Sequence, residues 1–270
     1  MRKALIIGPG GLRGAYGGGV AATLGRKLGP GYFDTIYGCS AGAYTGSYLA
    51  SGQPEKIELI WRECVHDKLL VKPAEIFRRK LPVLDLYYLN DVLRSRRYHL
   101  SVSNLLASST QLQMVVTEHK TGMPHYFSPT SEAEFFLQVR ASAAVPFIHP
   151  KVEIHGASYV DGGLSDPFPV ERAVRDGHDE IILISNSPLA STGFIAATFL
   201  TAYAGYAGRQ GLQEMQRRIG SAILLQQSNN ASIRIISPSQ KLKHRWQFDS
   251  SRERINQLVD LGICDALAFL

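Results

Sequence analysis

The chain has 270 residues, 45% of them hydrophobic and 19% charged, with a formal net charge of +6 and three cysteines. That balance supports a folded core and excludes a disordered chain, while Cys39, Cys64 and Cys264, odd in number and far apart, indicate neither a disulfide framework nor a zinc site. The positive charge favours anionic surfaces, but no zinc finger, aromatic-rich RNA motif or basic helix goes with it, so nucleic acid is not an expected partner.

Met1-Arg2-Lys3 precedes an apolar run, Ala4-Leu5-Ile6-Ile7, that stops at Gly8-Pro9-Gly10. The run is too short for the core of a signal peptide and reads as a buried first strand over residues 3–7. Residues 12–27 read as a helix entered through a glycine-rich turn, 35–37 as a second strand and 41–50 as a helix. Gln53-Pro54 opens another helix towards Cys64. Over residues 65–100 the pattern loosens around Pro73 and Pro82, where a variable, substrate-facing cap is expected.

Residues 112–117 alternate as a strand, and Lys120-Thr121-Gly122 turns the chain back through His125-Tyr126-Phe127. Ser131-Glu132-Ala133-Glu134 is a capping box before a helix running to Arg140. Residues 152–154 and 158–160 form a second hairpin around His155-Gly156. Pro169 starts a helix that Gly177 ends; residues 181–184 are a strand of the buried parallel kind, and 233–236 are the last strand. No side chain between Glu180 and Arg209 is charged, yet Ser185-Asn186-Ser187-Pro188 divides that stretch. Its second part, from Phe194, therefore reads as a core-packed or membrane-touching helix and not as a span. Ser250-Ser251-Arg252-Glu253 caps a final amphipathic helix carrying Ile255, Leu258, Val259 and Leu261. Strand and helix signals thus alternate with no internal repeat, low-complexity tract or linker, which implies one layered α/β domain over residues 1–270. Basic residues gather at Arg78, Arg79 and Lys80 with Arg94, Arg96 and Arg97, and again at Arg234, Lys241, Lys243 and Arg245. They are expected as a solvated basic face, with attraction to anionic lipid headgroups as the alternative.

Three glycine-bearing motifs carry the chemistry. Gly38-Cys39-Ser40-Ala41-Gly42 lies between a strand and a helix and fits the G-x-S-x-G elbow. There a strained turn lifts the serine over a helix N-terminus, and side chains in place of the glycines would strike neighbouring backbone. Cys39 beside it is expected as a small buried hydrophobe. Gly8-Pro9-Gly10-Gly11-Leu12-Arg13-Gly14 is a loop whose backbone N–H groups can approach a tetrahedral oxyanion. As a dinucleotide fingerprint it fails in register, because the third glycine would fall on Arg13, and no G-K-[ST] marks a P-loop. Asp161-Gly162-Gly163 offers a carboxylate that accepts a proton from serine directly or orients a histidine that does so. His178 and His244 follow Asp161 and leave a Ser–Asp–His order open. His178, in Asp176-Gly177-His178-Asp179, is nevertheless expected as a solvated loop histidine, as are His149 and His155.

In this order the three motifs resemble the patatin-like phospholipase family, from Leu5 to about Val170. Ala141-Ser142-Ala143-Ala144-Val145-Pro146-Phe147 is similar to the family's A-S-x-x-x-P-x segment, and Phe248-Asp249-Ser250 is similar to its short bacterial members. The resemblance implies a three-layer α/β/α sandwich with a mainly parallel central sheet. It implies a serine acyl hydrolase that cleaves carboxylic esters of phospholipids or lysophospholipids through an acyl-enzyme. Ser40 would be the nucleophile, Asp161 its base without a histidine, and the N–H groups of Gly10 and Gly11 the oxyanion hole. Arg13, Gly14, Gly38, Gly42, Gly162 and Gly163 would support the motifs, with Arg13 steadying the loop or meeting a lipid phosphate. Pro9 stands where many members have the first of three glycines and lacks an N–H; Asp166 stands where asparagine is common. No metal or organic cofactor is implied. The expected partners are a lipid ester and, peripherally, a membrane surface, in a cytoplasmic setting, with the oligomeric state open. An acyltransferase using the same acyl-enzyme and a non-catalytic lipid-binding protein are the rival readings.

Overall fold

The computed structural model describes residues 1–65, 70–72, 82–187, 231–240 and 251–270. One sheet of eight strands organises them: β1 (Lys3–Ile7), β2 (Thr35–Cys39), β3 (Gln111–Glu118), β4 (Pro124–Phe127), β5 (Val152–Ile154), β6 (Ala157–Asp161), β7 (Glu180–Ile184) and β8 (Ser232–Ile236). The block β3-β2-β1-β7-β8 is parallel throughout. Antiparallel pairing is confined to the β3 side, where β4 and β6 both join β3 and β5 joins β6.

The apolar runs of β1, β2 and β7 divide by alternation into two faces. Leu5 and Ile7 point to one side with Ile36, Leu112, Met114, Ile182 and Ile184, into the larger core cluster. That cluster is closed by α1 (Gly14–Leu28), α2 (Ala41–Ala50), α3 (Pro54–Glu63), α4 (Leu86–Arg94), α5 (Val102–Ala107), α6 (Glu132–Ser142) and α8 (Arg252–Phe269). Ala4 and Ile6 point the other way with Tyr37, Ile181 and Leu183, onto α7 (Val170–Arg175) through Val170 and Ala173. Helices on both faces of a central sheet make the three-layer α/β/α sandwich that the alternating sequence requires.

The helix boundaries follow the capping chemistry. Ser131 accepts from the Glu134 N–H at 3.2 Å, and the Glu134 carboxylate returns to the Thr130 N–H at 3.0 Å, a capping box displaced by one residue. Asp85 caps α4 by accepting from the Tyr88 N–H at 3.0 Å, so residues 86–94 of the loosely patterned stretch are a regular helix. Ser251 stands at the N-cap of α8 but makes no side-chain capping bond. The glycines of α1 and α8 serve a close helix contact. A Cβ at Gly19 would fall on the Val259 carbonyl, and one at Gly262 on the Tyr16 carbonyl, so the two backbones approach where no side chain intervenes.

Of the basic residues, Arg97 is paired with Glu63 and Arg94 lies over the Phe136 ring, 3.6 Å from its centroid. Arg78, Arg79, Lys80, Lys241, Lys243 and Arg245 lie outside the described residues, as do His244, the stretch from Phe194 and Phe248-Asp249-Ser250. Among the described residues no helix is long and apolar enough to cross a membrane.

Candidate active site

Ser40 is the residue between β2 and α2, and its backbone sits at φ 55° and ψ −121°. A non-glycine residue pays for positive φ with steric strain, and such positions persist only where the surroundings hold them. Here the surroundings are tight on both sides. A Cβ at Gly42 would fall on the carbonyl oxygen of Ile7, and one at Gly38 would lie 2.6 Å from Ala43 Cα. The elbow therefore presses directly on the end of β1 and on its own helix. The Ser40 N–H donates to Ser142 Oγ at 3.0 Å, and Ser40 is 6% exposed.

Strand register brings Asp161 to the same place. β2 pairs with β3 up to Cys39 opposite Val115, while β6 pairs with β3 from Asp161 opposite Val116. β4 overlaps β2 at Met114 and Val115, and overlaps β6 at Val116 and Thr117, so β2 and β6 share the edge of β3 that β4 does not use. On that edge the two strands meet end to end, with Ser40 and Asp161 at the junction. Gly162 lets the chain turn away there, since a Cβ on it would fall on the Val115 carbonyl.

The Asp161 carboxylate accepts from the Gly163 N–H at 2.7 Å, and the Ser40 hydroxyl beside it favours its charged form. Its backbone is held as well: its N–H donates to the Ala144 carbonyl at 3.0 Å, and its carbonyl accepts from Thr117 Oγ1 at 2.8 Å. Burial raises the carboxyl from its ordinary 3.8 to about 6, against the Ser40 hydroxyl and the Gly163 N–H, which favour the charged form. Asp161 is thus a buried carboxyl group that holds its proton more tightly than an ordinary one, beside the serine hydroxyl.

The glycine-rich loop closes the site from the β1 side. Gly10 has extended φ and Gly11 φ 56°, and a single 3-10 turn, Gly11–Arg13, leads into α1. N–H groups at a helix start lack acceptors within the helix and can face a ligand. Pro9 packs beside the aspartate turn, so that a Cβ on Gly163 would lie 3.3 Å from Pro9 Cγ. Gly14 is tight against the elbow helix, with a Cβ there 2.8 Å from that of Ala41. Arg13 is partly buried, burial lowers its pKa, and its Nε has no hydrogen-bond partner among the described residues.

Ser40, Gly11 and Leu12 line one cavity with Tyr44, Trp61 and Leu86, of about 70 Å³. Its walls are apolar because the polar tips that border it are used elsewhere. Trp61 Nε1 donates to Thr45 Oγ1 at 3.2 Å, and the Tyr44 hydroxyl donates to Asn90 Oδ1 at 3.1 Å. Val65, Leu70 and Leu84 complete it, so the loosely patterned stretch does face the site.

Two histidine expectations are corrected. His178 is 3% exposed, with Nδ1 bonded to the Ala173 carbonyl at 2.9 Å and Nε2 to Thr35 Oγ1 at 3.1 Å, so both ring nitrogens are occupied away from Asp161. His149 is 2% exposed, stacked on Tyr87 with Nδ1 on the Pro150 carbonyl. His155 is exposed, as expected. Cys39 is fully buried, in keeping with its reading as a small hydrophobe. Among the described residues no cluster of three or more His, Cys, Asp or Glu is placed to hold a metal. Sequence reasoning singled out the segment of Ser142 and Ala144 by resemblance but not what they do, which is to tether Ser40 and Asp161, and it missed Asn186, which touches the glycine loop.

The patatin-like phospholipase family profile matches residues 5–174. Uncharacterized protein YjjU of Escherichia coli K12 is 30% identical over 191 residues, covering 69% of this chain and 52% of that protein. The chain therefore spans about half the length of this curated relative. The crystal structure of VipD from Legionella pneumophila aligns over 96% of this chain and 67% of that one, at 15% identity and a TM-score of 0.47.

Proposed function

This chain belongs to the patatin-like phospholipase family, and we propose that it hydrolyses carboxylic esters of phospholipids or lysophospholipids on a Ser40–Asp161 dyad. The observation that carries the reading is the register that sets Ser40 against a buried carboxylate, beside an apolar cavity that Ser40 itself lines. In the first half-reaction Ser40 Oγ bonds to the ester carbonyl carbon and its proton passes to Asp161. The carbonyl oxygen becomes an oxyanion held by the N–H groups of Gly10 and Gly11, each such donor contributing about 3–4 kcal/mol to the transition state. Collapse breaks the ester C–O bond, and the leaving alkoxide takes the proton from Asp161. In the second half-reaction Asp161 takes a proton from water, the hydroxide attacks the acyl-enzyme, and the proton returns to Ser40 as the fatty acid leaves.

Three features support this assignment. A base near pH 6 works closer to neutral pH than an ordinary carboxylate. The apolar walls suit an acyl chain and exclude water from its methylenes. Both nitrogens of His178 are occupied, in keeping with a dyad. The test is labelling and turnover together. A fluorophosphonate should modify Ser40, and Ser40→Ala should lose both labelling and release of fatty acid from lysophospholipid. A Ser40→Ala protein that hydrolyses as fast as the parent sinks the reading, and a new ester formed in the presence of an alcohol acceptor turns it to acyl transfer.

A further inference from the structure

Asn186 lies two residues beyond β7, in a segment to which the sequence assigns no role. The parallel register sets Ile7 opposite Ile184, and the Gly8 N–H continues the ladder by donating to the Ile184 carbonyl at 3.0 Å. Extending the register by two residues sets Asn186 beside Pro9. The strand end is pinned there, since the Ser185 N–H donates to the Ile236 carbonyl at 2.9 Å and Ser185 Oγ to the Ser187 carbonyl at 2.7 Å.

The Asn186 side chain is buried, 2% exposed, and makes three bonds. Its Nδ2 donates to the Gly8 carbonyl at 2.8 Å and the Pro9 carbonyl at 3.2 Å, and its Oδ1 accepts from the Gly17 N–H, in the first turn of α1, at 2.9 Å. The partners settle the amide orientation, because a flip would set Oδ1 against two carbonyl oxygens. The peptide that follows Pro9 is planar and trans, so its C=O and N–H point in opposite directions. Holding the Pro9 carbonyl towards Asn186 therefore directs the Gly10 N–H away from Asn186. Glycine pairs have the least intrinsic resistance to rotation, so a loop with Gly10-Gly11 as donors needs such an external clamp. The fit leaves no slack: a Cβ on Gly10 would lie 2.9 Å from Asn186 Cβ, and one on Gly17 would lie 2.5 Å from its Oδ1.

We propose that Asn186 is the positioning residue of the oxyanion loop, clamping the Gly8 and Pro9 carbonyls against α1 so that the Gly10 N–H is aimed before substrate arrives. The inference rests on the Ser40 mechanism above and adds a residue that touches no reacting atom. Pro9 fits it, because a residue that supplies only its carbonyl loses nothing by lacking an N–H.

Asn186→Ala removes the clamp. Gly17→Ala pushes it from the α1 side, leaves Asn186 in place and gains helix propensity, so it keeps the test informative if the first variant folds poorly. Both are assayed in the full chain with a soluble ester and with an alkyl trifluoromethyl ketone, whose adduct with Ser40 carries the tetrahedral oxyanion. Thr110→Val, which removes a buried hydrogen bond to the Phe33 carbonyl, serves as the control for destabilisation alone. The expected result is kcat lower by roughly 10- to 100-fold, less than outright loss of a donor, with KM within about twofold. The ketone Ki should rise by the factor by which kcat/KM falls, and Thr110→Val should keep parent values for all three. Parent kcat and ketone Ki in folded Asn186→Ala and Gly17→Ala overturn the proposal, as does a loss confined to KM. If Ser40→Ala hydrolyses like the parent, the mechanism itself fails; if only the Asn186 and Gly17 arms are silent, the mechanism stands and the clamp does not.

Discussion

Replacing Asp161 by asparagine should abolish the proposed activity and stabilise the protein, with the size of the gain set by pH. The side chains are isosteric. The Asn Oδ1 can keep the Gly163 N–H, and its NH2 can face Ser40 Oγ, so packing is preserved. What disappears is a buried charge. Asp161 differs from most native carboxylates in that folding raises its pKa, from 3.8 to about 6. Between those values the folded state binds more protons than the unfolded state, so stability falls as pH rises through the window and levels off above it. A change from 3.8 to about 6 corresponds to about 3 kcal/mol of stability lost at pH 7 relative to pH 3. Asparagine does not titrate and does not incur that loss.

The assay is denaturant unfolding of parent and Asp161→Asn at intervals from pH 4 to 8, read as the difference between them so that other titrating groups cancel. The difference should be small at pH 4 and reach about 3 kcal/mol in favour of asparagine by pH 7, or roughly 5–10 °C in Tm. In parallel, kcat/KM of the parent should fall below about pH 6 as the base is protonated, and the variant should lose at least about 100-fold at about pH 7–8, the gap narrowing as the pH falls and the parent's own base is protonated. An asparagine variant less stable than the parent at pH 8, or a difference that does not change with pH, refutes the reasoning.

Two other substitutions probe the surroundings. Gly42→Ala puts a methyl group on the Ile7 carbonyl and should both destabilise the fold, by about 1–3 kcal/mol, and abolish fluorophosphonate labelling of Ser40. Thermal unfolding and labelling are the two measurements. Ala143→Leu fills the cavity of about 70 Å³ beside Ser40. Since each excluded methylene costs about 1–3 kcal/mol, an ester series of increasing acyl length should show acetyl turnover within about threefold of the parent and octanoyl turnover reduced by at least about tenfold.

The parts of the site that were legible in the sequence depend on local backbone geometry. Gly38, Ser40 and Gly42 are readable because one strained turn sets all three spacings, and the structure finds the strain where the motif puts it, at φ 55°. Asp161 is readable for the same reason, as a carboxylate at a strand end followed by glycines. The illegible parts are ordinary residues acting across long separations. Ser142 reaches Ser40 over 102 residues and Asn186 reaches Gly17 over 169, and neither contact leaves a spacing to detect, although resemblance had marked the segment of Ser142. His178 was misjudged because its loop folds back under the sheet, where the Ala173 carbonyl and Thr35 hydroxyl accommodate both ring nitrogens. The glycines near the start of the chain serve two ends. Gly10 and Gly17 meet Asn186, whereas Gly18 and Gly19 make room for Trp61 and for α8.

Sheet direction explains why such distant residues converge. In a parallel sheet the C-terminal strand ends all face one way, and the crevice beyond them is where α/β proteins place their chemistry. The glycine loop follows β1, Ser40 follows β2 and Asn186 follows β7, so three of the parts arrive by that rule alone. Asp161 ends β6, which runs antiparallel to β3 and should on that account point to the opposite side. It reaches Ser40 because β6 and β2 occupy successive lengths of one edge of β3 and run towards each other. An antiparallel strand laid end to end with a parallel one brings two C-termini face to face. That arrangement buries the aspartate at the junction, and the burial that raises its pKa to about 6 also makes it a cost to the fold.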